Sequence, residues 1–85
     1  MTRDEVLERL TDVFRSIIDD DSIILTDTTT ADDIEEWDSL NQIKIILASE
    51  QVFGLKLNAR KINVLKNVGE MVDYVLSEAS EQGKA

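Results

Sequence analysis

A hydroxyl stands beside a carboxylate at Asp38-Ser39, between the apolar side chains of Trp37 and Leu40, and a helical pattern begins at that point. In the first turn of a helix the unpaired backbone amides and the positive end of the dipole favour negative charge, so a phosphodiester on Ser39 would sit in a supportive field. The same residues also read as plain helix punctuation. Ser39 with Gln42 satisfies a capping-box pattern, and Asp38 alone is a good N-cap. Local chemistry leaves both readings open. Ser39 as a hydrolytic nucleophile is excluded, because the sequence has no histidine to take its proton. Neither a Ser-x-x-Lys nor a Gly-x-Ser-x-Gly pattern surrounds it.

The other chemistry-bearing clusters are acidic. Asp19-Asp20-Asp21 and Asp32-Asp33-Ile34-Glu35-Glu36 raise the question of calcium, but neither supplies alternating oxygen ligands with a glycine at the sixth position and a glutamate at the twelfth. They read as solvated loop charge. With no cysteine and no histidine, thiolate zinc sites, cysteine nucleophiles and imidazole bases are all absent. No metal and no catalytic residue is expected.

Several elements must position Ser39. Val6, Leu7, Leu10, Val13, Phe14, Ile17 and Ile18 recur at three- and four-residue steps and predict a first helix. Thr2 and Glu5 form its capping-box start. From Asp19 to Trp37 the chain is polar and reads as a long loop, with Ile24 and Ile34 as the expected plugs into the core. A second helix is predicted from about Ser39 to Phe53, stopped by Gly54. Leu55-Lys56-Leu57 reads as an extended link, and Asn58 caps a short helical piece running through Ile62 to Leu65. Asn67 and Glu70 open a last helix whose stripe is Val68, Met71, Val72, Val75, Leu76 and Ala79. Tyr74 on that helix is expected to pack, and residues 81–85 to fray. The expected fold is all-α: a small four-helix bundle, three helices longer and one short, with a long loop between helices 1 and 2.

The 85 residues predict a single domain spanning 1–85, with an ordered core of about 2–80. No apolar run approaches the roughly 20 residues of a membrane span, and the start lacks the apolar segment of a secretory signal. A cytoplasmic location is expected. A net charge of −9 opposes nucleic acid and anionic lipid and suits protein partners.

The predicted second helix has more apolar residues than one core face requires. Ile45, Ile46 and Phe53, with Ser49 among them, suit the core. Leu40 and Leu47 fall on another side beside Lys44 and Gln51, and two readings stand: an exposed docking surface that includes Trp37, Leu40, Lys44, Leu47 and Gln51, or leucines packed under the long loop. Trp37 itself is expected chiefly as a core anchor with one edge exposed.

Over nearly its full length the sequence resembles the acyl carrier protein family. Asp38-Ser39-Leu40 resembles the family's Asp-Ser-Leu attachment motif, Phe53-Gly54 falls at its helix-end position, and Leu57 through Asn67-Val68 is similar to its link, short helix and capped final helix. The resemblance implies a free-standing carrier that performs no chemistry itself. A phosphopantetheinyl transferase would move a 4'-phosphopantetheine arm from coenzyme A onto Ser39. The arm's thiol would then hold acyl groups as thioesters for acyl-loading and acyl-processing enzymes, with a monomer as the default state.

The chain departs from the pattern of carriers in fatty acid synthesis at several positions. Glu36 stands where a glycine is usual and Trp37 where a small residue is usual; Asn41, Lys44, Gln51 and Val52 stand where acids would be expected, leaving Glu50. A basic docking patch would meet a neutral or positive side chain at Lys44. These departures imply a dedicated carrier for a specialised pathway, of polyketide, lipid-tailoring or aminoacyl type, rather than primary fatty acid synthesis. The rival from another class is a small acidic helical adaptor that binds a protein and has no prosthetic group.

Overall fold

A computed structural model describes residues 1–83. Helix α1 spans Arg3–Ile18, α2 Ser39–Phe53, α3 Ala59–Asn63 and α4 Val68–Glu81, and the long α1–α2 connection contains one 3-10 turn at Ala31–Asp33. This is the expected all-α arrangement, and the described residues include no strand.

The helix boundaries follow from local chemistry. Thr2 and Glu5 form the reciprocal capping box of α1, and Asp19 ends the helix in the left-handed region at φ 59°. Gly54 ends α2 at φ 64°, and the amides of Gly54 and Leu55 both donate to the Glu50 carbonyl. The Asn58 side chain accepts from Arg60 and Lys61 at the start of α3, and Asn67 accepts from Glu70 at the start of α4. The caps pair backbone groups that the helix geometry would otherwise leave unpaired, amides at the starts and carbonyls at the ends.

The three longer helices place their apolar stripes against one another, α1 touching both α2 and α4. Val6, Leu10 and Phe14 of α1, Ile45 of α2, and Val68, Val72 and Val75 of α4 are fully buried, and Ile62 closes the core from α3. Burying such a side chain stabilises the fold by roughly 1.5–3 kcal/mol, the largest favourable contribution available to a chain of this size.

The loop plugs differ from expectation in one respect. Ile34 is half-buried against the core as expected, but Ile24 is 74% exposed, and its neighbours Ile23 and Leu25 are buried instead. Residues 23–25 belong to no helix or strand, and their burial alternates, so that only the outer two of the three face inward. Arg15 fixes this register by donating from Nε to the Ile23 carbonyl at 2.8 Å.

Further along, the loop is stitched to the start of α4. The amides of Val68 and Gly69 donate to the carbonyls of Thr29 and Asp27 at 2.8 and 2.9 Å, and Arg3 pairs with both Asp27 and Asp73. The buried Thr29 hydroxyl accepts from the Thr26 amide.

The end of α4 is more ordered than the expected fray. The Gln82 side chain clasps the α2–α3 link, accepting from the Lys56 amide at 2.9 Å and donating to the Lys56 carbonyl at 2.8 Å. Gly83 follows in a turn, and the remainder of the expected fray, Lys84 and Ala85, lies outside the described residues. Tyr74 packs as expected but also bonds: its hydroxyl accepts from the Asn58 amide and donates to Glu78, bracing α3's cap against α4. Burial, the larger cause, and the adjacent Glu78 carboxylate push this phenol above its ordinary range.

Candidate functional site

Ser39 is the first residue of α2, and the structure separates its hydroxyl from the task of capping. Asp38 is the N-cap: its backbone is extended, and its carboxylate accepts from the Asn41 amide at 2.9 Å. Its carbonyl takes the first helical bond, from Gln42 at 2.8 Å. The Ser39–Gln42 box suggested by spacing does not form, because Gln42 turns toward Trp37 and accepts from the indole Nε1. Ser39 is left exposed, one residue inside the helix, beside amides whose partial positive charge faces outward.

The turn that presents Ser39 is held from both sides. Trp37 is half-buried, its ring edge-on to Phe14 of α1 at 4.8 Å between centroids and 89° between planes, so it anchors the turn as expected. Upstream, Glu36 adopts a left-handed φ of 68°, and the Asn41 side-chain amide donates to its carbonyl at 2.7 Å. A glycine would adopt this conformation without the cost that a side chain adds, so Asn41 offsets part of the strain.

Ser39 opens onto a cleft of about 530 Å³ bounded by the starts of α2 and α4 and by α3. Trp37, Ile43, Ile46, Ile62, Leu65 and Met71 give it an apolar wall, and Asp38, Gln42, Asn63 and Lys66 line its polar part. A phosphate joined to Ser39 would lie at the mouth, and an attached chain has both an apolar recess and open solvent within reach.

The surface residues named from sequence divide between two places. Trp37, Asp38 and Ser39 line the cleft, whereas Leu40, Lys44, Leu47 and Gln51 form an outward ridge along α2. Leu40 and Leu47 are 63% and 57% exposed, which rules out the reading that they pack under the loop. Ile43, 58% exposed, belongs to the same apolar surface and was not singled out. The signal for it was present, since Leu40, Ile43 and Leu47 stand at i, i+3 and i+7. Val64, exposed at the end of α3, has no comparable periodic signal.

The acid clusters do not assemble a metal centre. Among the described residues no three carboxylates are placed to hold an ion. Among them, too, no helix is long and apolar enough to cross a membrane.

Comparison with known proteins agrees with this geometry. A family model described as a phosphopantetheine attachment site matches residues 8–75. The chain is 26% identical over 76 residues to the acyl carrier protein of Acidothermus cellulolyticus, covering 88% of this chain and 89% of that one. It is 28% identical over 79 residues to the acyl carrier protein of Tropheryma whipplei, with coverage of 91% and 94%. The solution structure of the holo acyl carrier protein from Geobacter metallireducens superposes with a TM-score of 0.82 at 38% identity, covering 93% of this chain and 91% of that one.

Proposed function

Because this chain belongs to the acyl carrier protein family, whose members are phosphopantetheine carriers without catalytic activity of their own, we propose that Ser39 is the residue that bears its arm. The observation that supports this most directly is the division of labour at the start of α2: Asp38 caps the helix, so the Ser39 hydroxyl is exposed and uncommitted.

In the loading step the Ser39 oxygen attacks the phosphorus that bears the pantetheine of coenzyme A. A Ser–O–P bond forms, the pyrophosphate P–O bond breaks, adenosine 3',5'-bisphosphate leaves, and the transferase takes the serine proton. The first-turn amides of α2 would hold the negative charge of a phosphodiester on Ser39, which Asp38 and Leu40 flank in the chain. Once attached, the group supplies a thiol that holds acyl cargo as a thioester. The chain contributes placement: Trp37 and the Asp38 cap fix the direction in which the arm leaves, and the cleft offers the cargo a partly apolar refuge.

The finer reading is a dedicated carrier for a specialised pathway, acting as a single-domain monomer in the cytoplasm. It is supported by the surface of α2, where Lys44, Leu47 and Gln51 are exposed and the one acid, Glu50, is occupied in accepting from the Leu57 amide at 2.9 Å. Its enzymes would meet Leu40, Lys44, Leu47 and Gln51 as they approach Ser39.

Intact-mass analysis tests the attachment. Incubation with coenzyme A, magnesium and a broad-specificity phosphopantetheinyl transferase should add one phosphopantetheine, and Ser39→Ala should abolish the addition. No addition across several transferases would favour an adaptor without a prosthetic group. For the pathway, failure to restore growth in cells deprived of their fatty-acid carrier is expected, and rescue would remove the specialised reading.

A further inference from the structure

Between Leu55 and Val68, which are both buried, only Ile62 places its side chain in the core; Leu57, Leu65 and Asn67 are half-buried and the other residues are exposed. The stretch leans on one apolar anchor. Its backbone adds little to that. Among the described residues no backbone-to-backbone hydrogen bond joins residues 56–66 to another element, and those of the Ile62 and Leu65 amides stay within the stretch.

Side chains from α2 and α4 hold it instead. The Lys56 amide donates to Gln82 Oε1 at 2.9 Å, and the Lys56 carbonyl accepts from Gln82 Nε2 at 2.8 Å. The Leu57 amide donates to Glu50 Oε2 at 2.9 Å, and the Asn58 amide donates to the Tyr74 hydroxyl at 2.9 Å. Three consecutive amides therefore end on three side chains, from the last turn of α2, the middle of α4 and the cap of α4. At the other end the Lys66 amide donates to Glu70 over a longer 3.3 Å.

The same stretch covers the cleft. Ala59, Ile62, Asn63, Leu65 and Lys66 line one side of it, while Ile46 of α2 and Met71 of α4, which also line it, are buried. The mouth at Ser39 is open and the apolar inner end is shut.

We propose that residues 56–66 form a lid on the inner end of this cleft, latched by Glu50, Tyr74 and Gln82, and that local release of the latch, with the rest of the bundle intact, exposes the recess at Ile46 and Met71. Segments with few buried apolar contacts and exposed hydrogen bonds open at low free energy, and the lid is such a segment. Its ends stay fixed. Leu55 is buried with its amide on the Glu50 carbonyl, and Val68 is buried with its amide on the Thr29 carbonyl. Glu50, Tyr74 and Gln82 are positioning residues, since none of them lines the cleft and each acts through the lid. On the reading of Ser39 as the attachment point, the latch sets how readily cargo on the arm passes into the recess.

The full chain has no cysteine, so one introduced thiol reports where the structure opens. Ile46→Cys puts it beneath the lid, and Val72→Cys puts it in the core of α4 outside the cleft. Labelling by an aromatic disulfide reagent is timed in urea concentrations below the unfolding transition. Labelling at position 46 should be the faster and nearly independent of urea, because lid opening exposes little surface; labelling at position 72 should rise with the slope of global unfolding.

Tyr74→Phe and Gln82→Ala should each speed labelling at position 46 by about tenfold, the effect of losing one hydrogen bond of this kind, and leave its weak urea dependence unchanged. Val13→Ala weakens the core on α1 outside the cleft, and should speed labelling at position 72 alone. Equal rates and equal urea slopes at the two positions overturn the lid. Rates at position 46 that stay within twofold in both latch variants overturn the latch. Amide exchange of the unsubstituted chain is a further check: the amides of Lys56, Leu57, Asn58 and Ile62 should exchange together and ahead of the interior of α1 and α4, and the reverse order overturns the proposal. None of these measurements needs an arm on Ser39, so the lid and the attachment reading stand or fall separately.

Discussion

The amide of Gly69 donates to the carbonyl of Asp27 at 2.9 Å, which brings the long loop against the first turn of α4 with no space for a side chain between them. A Cβ on residue 69 would lie 2.7 Å from that carbonyl oxygen, and the oxygen is backbone and unable to swing aside. The loop that ends at the Ser39 turn is therefore moored at its middle by a glycine on another element.

Gly69→Ala sets two effects of known sign in opposition. Alanine in a helix is favoured over glycine by about 1 kcal/mol. Forcing a methyl group against fixed atoms costs about 1–3 kcal/mol and also threatens the capping bonds to Asp27 and Thr29. The clash should win, lowering Tm by roughly 4–8 °C for each kcal/mol lost in a domain of this size. A rise in Tm would show that the loop yields.

Ser49→Ala should stabilise the protein. The Ser49 hydroxyl is fully buried on the core face of α2 and has no hydrogen-bond partner. Burial of an unpaired hydroxyl costs about 1–3 kcal/mol, and alanine is also the better helix former. Urea unfolding should give a higher midpoint with an unchanged slope, a gain of about 1 kcal/mol. A lower midpoint would contradict the unpaired assignment.

Asp38→Ala removes the cap that leaves Ser39 uncommitted. A loss of about 1 kcal/mol is expected on thermal or urea unfolding, and Asp38→Asn should recover most of it, because an amide oxygen can accept from Asn41 in the same way. Phosphopantetheine loading should follow the same order, fastest with aspartate and slowest with alanine. If alanine loads as fast as wild type, the cap has no part in presenting Ser39.

Tyr74 supplies a pH dependence whose sign is fixed. Its phenol is held above the ordinary range by burial and by Glu78, so the folded state favours the neutral form. That stability is fully present below the unfolded tyrosine value of about 10 and is lost as pH rises through the folded value. As the chain's one tyrosine, it can be followed by phenolate absorbance, which should appear later in the folded protein than in urea. Tyr74→Phe should remove the late titration and free the Asn58 amide at the start of α3.

The helices were legible because their end signals are strong and local. Asp38 and Gly54 bracket α2 to the residue, and Thr2 with Glu5 does the same for the start of α1. The inward residues of the loop were harder to assign, since Ile23, Ile24 and Leu25 form an unbroken apolar run and only the path of the folded loop decides which of them face the core. The exposed turn at Ser39 was predicted from type and spacing, but the sequence left open whether Ser39 or Asp38 performs the capping. That choice depends on Gln42 finding Trp37, a contact between side chains five residues apart that no periodic pattern encodes. The bracing by Tyr74 and the clasp by Gln82 join residues 16 and 26 positions apart, so they become visible only in three dimensions.

Trp37, the sole indole of the chain, has one edge against Phe14 and another on the wall of the cleft beside Ser39. Nature has thereby built an optical gauge into the molecule. A greasy passenger tucked into the recess would displace water from the ring and shift its emission toward the blue, while one left dangling outside would not. Any such stowage would be open to observation in real time, without a dye and without altering a single residue.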